Sequence, residues 1–163
     1  MHQIALKHCI CGILAATLSL ITIISANADV RTPLFTTETI SIHQPSLNKT
    51  HKYVVEIAEN EAQREHGLKF RSSLKDDYGM LFLFPHVNVI YMWMQDTYIP
   101  LDMIFLNSKG EIVTIVENTT PMSEEIISSK VPVAAVLELK GGTVQKQGII
   151  LGDMVLHSHF KNQ

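Results

Sequence analysis

Asp96 and Asp102 flank the short turn Thr97-Tyr98-Ile99-Pro100, and Glu138 interrupts the apolar run Val136-Leu137-Glu138-Leu139. A carboxylate among apolar neighbours needs a cation or several donors, because an unpaired buried charge is costly. Arg71 is placed to answer either Asp102 or Glu138. With Trp93 as a flat surface and Thr97 as a donor, the candidate ligand-binding set is Arg71, Trp93, Asp96, Thr97, Asp102 and Glu138. The bland alternative is a buried ion pair, or carboxylates that cap turns. Asp102 and Glu138 also admit a general acid and base, or a glycosidase pair, and with them the rival reading of a hydrolase acting on cell-envelope carbohydrate or peptide. The separation of the two carboxyl groups decides that chemistry, and sequence does not give it.

Alternate side chains of a strand share a face. Val89, Tyr91, Trp93 and Gln95 therefore lie on one side of their segment, with Ile90, Met92 and Met94 on the other. The Ile-Met-Met side reads as core. Trp93 is then either part of a second buried face, which the apolar neighbouring segments favour, or an aromatic platform at the mouth of a cleft.

Other chemistries leave weaker traces. His43, His51, His66, His86, His157 and His159, together with Met80, Met92, Met94, Met103, Met122 and Met154, raise a copper-handling alternative, since thioethers suit copper(I). No histidine pair has helical metal-ligand spacing, and the methionines sit in apolar runs where they fill core gaps. No metal ligand and no cofactor is assigned. Gly141-Gly142 precedes no long helix and lacks a paired lysine motif, so no nucleotide-binding fingerprint is present. A Gly-x-Ser-x-Gly elbow is also missing.

The elements that must position these groups are short. Of 163 residues, 46% are hydrophobic and 18% charged, which suits one packed domain and excludes a disordered chain. The 13 Lys+Arg against 16 Asp+Glu, with no basic run, disfavour a nucleic-acid partner. Residues 1–28 have the three parts of a secretory signal: a positive start at Lys7, an apolar run and the small-residue site Ala26-Asn27-Ala28. Cleavage after Ala28 is expected, giving a periplasmic or secreted chain with no membrane span; retention as an anchor is the rival reading. Cys9 and Cys11 both lie in that segment, which leaves the mature chain without thiol chemistry.

Residues 29–50 form a polar lead-in with a possible edge strand at 37–42, and residues 51–163 a single β domain. Strands are expected at 51–58, 80–84 (stopped by Pro85), 89–94, 101–106, 112–116, 133–139 and 154–157. Asn60 caps a two-turn helix that ends at Gly67. Asn107-Ser108-Lys109-Gly110 closes a hairpin over residues 101–117, and residues 118–130 form the longest loop. Gly141-Gly142 and Gly148 bracket a possible single helical turn. The fold class is mainly β, a compact antiparallel sandwich or barrel-like domain with one short helix.

Four motifs occur in an order that resembles the bacterial and archaeal family called domain of unknown function 192. They are Gly67-Leu68-Lys69-Phe70-Arg71; Gly79-Met80-Leu81-Phe82-Leu83-Phe84-Pro85; Met92-Trp93-Met94 with Thr97-Tyr98-Ile99-Pro100-Leu101-Asp102-Met103; and Val136-Leu137-Glu138-Leu139 followed by Gly148-Ile149 and Gly152-Asp153. The resemblance covers roughly residues 53–157. It implies a compact, mainly β, often exported domain with no agreed activity. Two departures stand out: Gln95-Asp96 replaces the family's usual Lys-Asn, and Met122 stands where many members carry a cysteine, which rules out a loop disulfide. The function expected is therefore an exported accessory or ligand-binding module without catalysis. Its partner is expected to be an unknown small molecule, a glycan or an envelope protein.

Overall fold

The structure, a computed structural model, describes residues 32–160; the expected signal segment and both cysteines lie outside them. Among the described residues seven strands form one sheet: β1 Thr36–Gln44, β2 Lys49–Ala58, β3 Tyr78–Met92, β4 Leu101–Leu106, β5 Ile112–Val116, β6 Ile127–Lys140 and β7 Met154–Leu156. Two short α-helices accompany it among the described residues, α1 Glu61–His66 and α2 Thr143–Gln147. The second occupies the place where a single helical turn is expected. The domain is mainly β, and its strand order is β5-β4-β6-β3-β2-β1-β7.

The sheet is mixed rather than wholly antiparallel, because β2 and β3 run parallel, with Val54 opposite Tyr78 and Ala58 opposite Phe82. Parallel neighbours need a crossover, and the segment containing α1 supplies it. The sheet curls into a half-barrel. Its two ends meet where Glu111 bridges Met154 and the Val155 amide donates to the Gly110 carbonyl at 2.8 Å. Gly110 has φ 82, and a side chain there would run into the Val155 carbonyl.

Both faces of the sheet carry apolar side chains. Ile40, Val55, Leu81, Ile104, Ile112, Leu137 and Val155 come from all seven strands and fill one cluster, as only the concave face permits. Met80, Phe82, Met103, Phe105 and Val136 form a second, outer cluster covered by Leu68 and Met94. The intervening positions of β3, β4 and β6 thus face opposite ways along each strand.

β3 runs straight through Pro85, against the expectation of a break. Its register against β6 shifts between Leu83 and Asn88, so the proline sits in an irregularity where no ladder N–H is required. The hairpin of β4 and β5 forms as expected, its turn held by the Asn107 side chain accepting from the Lys109 and Glu111 amides. The loop before β6 is shorter than expected, because β6 already begins at Ile127.

Asn60 caps α1 as the sequence predicts: its side chain accepts from the Gln63 amide at 2.9 Å, and the Gln63 side chain accepts in return from the Asn60 amide at 3.2 Å. The Gln63 side chain also donates to the Leu34 carbonyl at 2.7 Å, tying the incoming chain to the helix. Asn60→Ala should therefore cost about 1 kcal/mol, read as an earlier midpoint in urea with an unchanged slope.

Candidate functional site

Glu138 stands on the outer face of β6, with Met80 of β3 opposite on one side and Met103 of β4 on the other. Thioether chains flank it, and no side chain or backbone group among the described residues bonds its carboxyl group. Only 4% of the residue is exposed, and burial pushes the carboxyl group up to about 8, because the charged form loses its water. At neutral pH Glu138 is therefore mostly a neutral acid.

Glu138 reaches a pocket of about 320 Å³ that is open to solvent. The second core builds one wall: Phe82 and Phe84 alternate with Leu81 and Leu83 along β3, on the same face as Met80. Tyr91 and Trp93, further along the same segment, add two more aromatic faces. α1 and the chain after it supply Arg64, His66 and Lys69. The loop at 67–71 is pinned to the turn after Trp93 by the Phe70 amide, which donates to the Asp96 carbonyl at 2.8 Å.

The cations around the pocket are already engaged. Arg64 donates to the Glu59 and Leu83 carbonyls at 2.6 and 2.9 Å, with its guanidinium over the Phe84 ring at 5.6 Å. Lys69 leans toward Gln95 and Asp96, at 3.4 and 3.9 Å. His66 titrates below its ordinary value, first through burial and then through Arg71 and Lys69, so its ring is mostly neutral at pH 7.

Of the expected site residues, Trp93, Thr97 and Glu138 line this one pocket, and Arg71, Asp96 and Asp102 do not. Trp93 is not core: it lies just past the end of β3 and is 46% exposed, while its neighbours Met92 and Met94 pack into the outer cluster. Thr97 is buried, and its hydroxyl donates to the Gln95 carbonyl at 3.3 Å. Arg71 answers neither Asp102 nor Glu138, but forms a two-pronged pair with Glu56 of β2 at 2.9 and 2.6 Å. Asp96 has φ 56, a conformation that Asn and Asp tolerate better than other side chains, so the departure from the family's Asn keeps the turn.

Asp102 is fully buried and bonded from three sides. Its oxygens accept from the amides of Asn118 at 2.8 Å, Gly142 at 3.1 Å and Val144 at 2.7 Å. Gly142, at φ 86, has no side chain with which to cap α2, and Asp102 does so from another element. Met103 and Glu138 are register partners and so share a face, which puts Asp102, one residue away, on the other face of the sheet. The sheet thus separates the two carboxyl groups proposed as an acid–base pair. Among the described residues, no group of three or more His, Asp or Glu side chains could hold a metal ion. Met80, Met94 and Met103 are buried in the second core.

Sequence reasoning missed Arg64, His66, Lys69, Phe82 and Phe84. The alternation of Met80, Phe82 and Phe84 against Leu81 and Leu83 was the available signal, since it puts the two rings on the face that also carries Glu138.

No curated protein matches the chain. Among the solved structures similar to it are two bacterial proteins. A protein from Sinorhizobium meliloti 1021 described as a "putative transcription regulator" is 44% identical, with a TM-score of 0.75 over 77% of this chain and 97% of its own. A protein of unknown function from Novosphingobium aromaticivorans DSM 12444 is 29% identical, with a TM-score of 0.71 over 78% of this chain and 96% of its own. The family description DUF192, "Uncharacterized ACR", matches residues 43–157. With that match spanning most of the length, and with the expected motifs at the pocket and in the sheet around it, the chain belongs to the domain of unknown function 192 family.

Proposed function

We propose that the protein is a non-catalytic ligand-binding module working outside the cytoplasm, with the pocket between β3, β6 and α1 as its site. The observation that carries this reading is Glu138: a carboxyl group with no hydrogen-bond partner among the described residues, on a residue only 4% exposed that lines an aromatic-walled pocket open to solvent. Such a group costs stability where it stands, and costs of that kind gather at functional sites. A volume of about 320 Å³ matches the lower end of small-molecule sites, which favours a metabolite or a single sugar over a long polymer.

Export is supported by the signal-like segment at residues 1–28. Amino-terminal sequencing of the protein from a cell-envelope fraction should begin at Asp29. The relative named as a transcription regulator does not shift the reading toward DNA, since this chain has more acidic than basic residues and no basic run. Hydrolysis by Asp102 and Glu138 is not proposed, because the sheet lies between them.

A thermal-shift screen of envelope metabolites and glycans tests the proposal, since a ligand held only by the native state raises the melting temperature. A hit should also change Trp93 fluorescence, because this tryptophan is the only one in the chain and lines the pocket. Trp93→Ala should weaken that hit at least tenfold, as expected for loss of an aromatic contact at a small site. Equal affinity of the variant would remove this pocket as the site.

A further inference from the structure

We infer that the ligand of this pocket presents a positively charged nitrogen on an apolar body, a small organic amine whose ammonium group meets Glu138. The inference rests on the binding role proposed above and adds the class of ligand.

Glu138 is the buried carboxyl group lining the pocket, and no Lys or Arg side chain among the described residues pairs with it. Arg71 is held by Glu56, Arg64 by two carbonyls and the Phe84 ring, and Lys69 by Gln95 and Asp96. Met80 and Met103, its cross-strand neighbours, offer no donor. An ammonium entering from solvent would bring to Glu138 both the donors and the charge that the protein withholds. The walls favour the same guest. Phe82, Phe84, Tyr91 and Trp93 present aromatic faces, which attract cations. One of these rings already carries a cation, the guanidinium of Arg64 over Phe84. An anionic ligand would be pushed away once Glu138 is charged, and by Glu61 and Glu65 at the rim.

The proton balance gives a signature. The ammonium pairs with the ionised carboxylate, so at pH 6.5 a neutral Glu138 must give up its proton to the buffer as the amine binds. The other titratable groups lining the pocket are Glu61, Glu65 and Tyr91, together with His66, already mostly neutral, and the engaged Arg64 and Lys69.

Benzylamine, benzyl alcohol and benzoate are matched probes of the right size. Titration of the exported domain, followed by calorimetry and Trp93 fluorescence, should show benzylamine binding at least tenfold tighter than the other two at pH 8. At pH 6.5, titrations in buffers of different ionisation enthalpy should show release of nearly one proton per benzylamine bound. Glu138→Gln, with the fold retained by far-UV circular dichroism, should abolish both the preference and the proton release. Benzyl alcohol binding as tightly as benzylamine, or benzylamine binding unchanged in Glu138→Gln, would overturn the amine assignment and leave the pocket standing. If none of the three probes alters Trp93 fluorescence, the assignment fails as well, and the ligand screen then judges the pocket separately.

Discussion

Asp102→Ala is expected to bring the domain close to the limit of folding, with a loss of roughly 3–6 kcal/mol against the 5–15 kcal/mol that holds an ordinary domain together. Three backbone amides, those of Asn118, Gly142 and Val144, lose their acceptor at once. Each buried N–H left without a partner costs about 1–3 kcal/mol. The removed side chain also leaves a hole at a fully buried position. Asp102→Asn retains one acceptor oxygen and should fall between the variant and the parent. Urea unfolding followed by far-UV circular dichroism measures all three proteins, and a loss below about 1 kcal/mol for the alanine variant would show that these bonds do not anchor α2 and the loop before β6.

Glu138 should make the protein less stable as the pH rises through neutrality, the reverse of the usual carboxylate. Its folded-state value of about 8 lies above the ordinary value of 4.5, so between those limits the native state keeps a proton that the unfolded chain has released. The stability attached to this proton is fully present below about pH 4.5 and is lost as the pH climbs through 8, with a slope of about 1.4 kcal/mol per pH unit at most. Glu138→Gln removes the titrating group with little change of shape. The difference in unfolding free energy between variant and parent should grow steadily from pH 5 to pH 8, reaching several kcal/mol in favour of the variant. Parallel curves over that range would mean that the carboxyl group is hydrated or paired in solution.

What the sequence made legible depended on the range of each interaction. The Asn60 cap and the Asn107 to Gly110 hairpin were readable because their hydrogen bonds close within a few residues. The passage of β3 through Pro85 was not, since it depends on an irregularity in pairing with β6, about fifty residues downstream. The parallel course of β2 and β3 was hidden for a similar reason: the short helix between them does not announce on which side the chain returns. Arg71 shows the same limit among charges. Local spacing offered it two acidic partners, and it took a third, Glu56, whose strand is brought alongside only by the crossover. Trp93 looked like core because its neighbours are apolar on both sides, but the strand ends just before it and solvent begins there. Glu138 and Asp102 were singled out for one physical reason, and they separate because adjacent positions on paired strands face opposite ways.

The pairing of β1 with β7 has a consequence for the timing of biogenesis. The first of the described strands, at residues 36–44, waits for an outer partner at residues 154–156, the last of them to be synthesised. At cellular elongation rates, on the order of 5–20 s separates the appearance of the two. Over that interval β1 has an unsatisfied flank and the half-barrel remains unclosed, so closure waits for β7 and the growing chain depends on whatever shields its exposed strands until then.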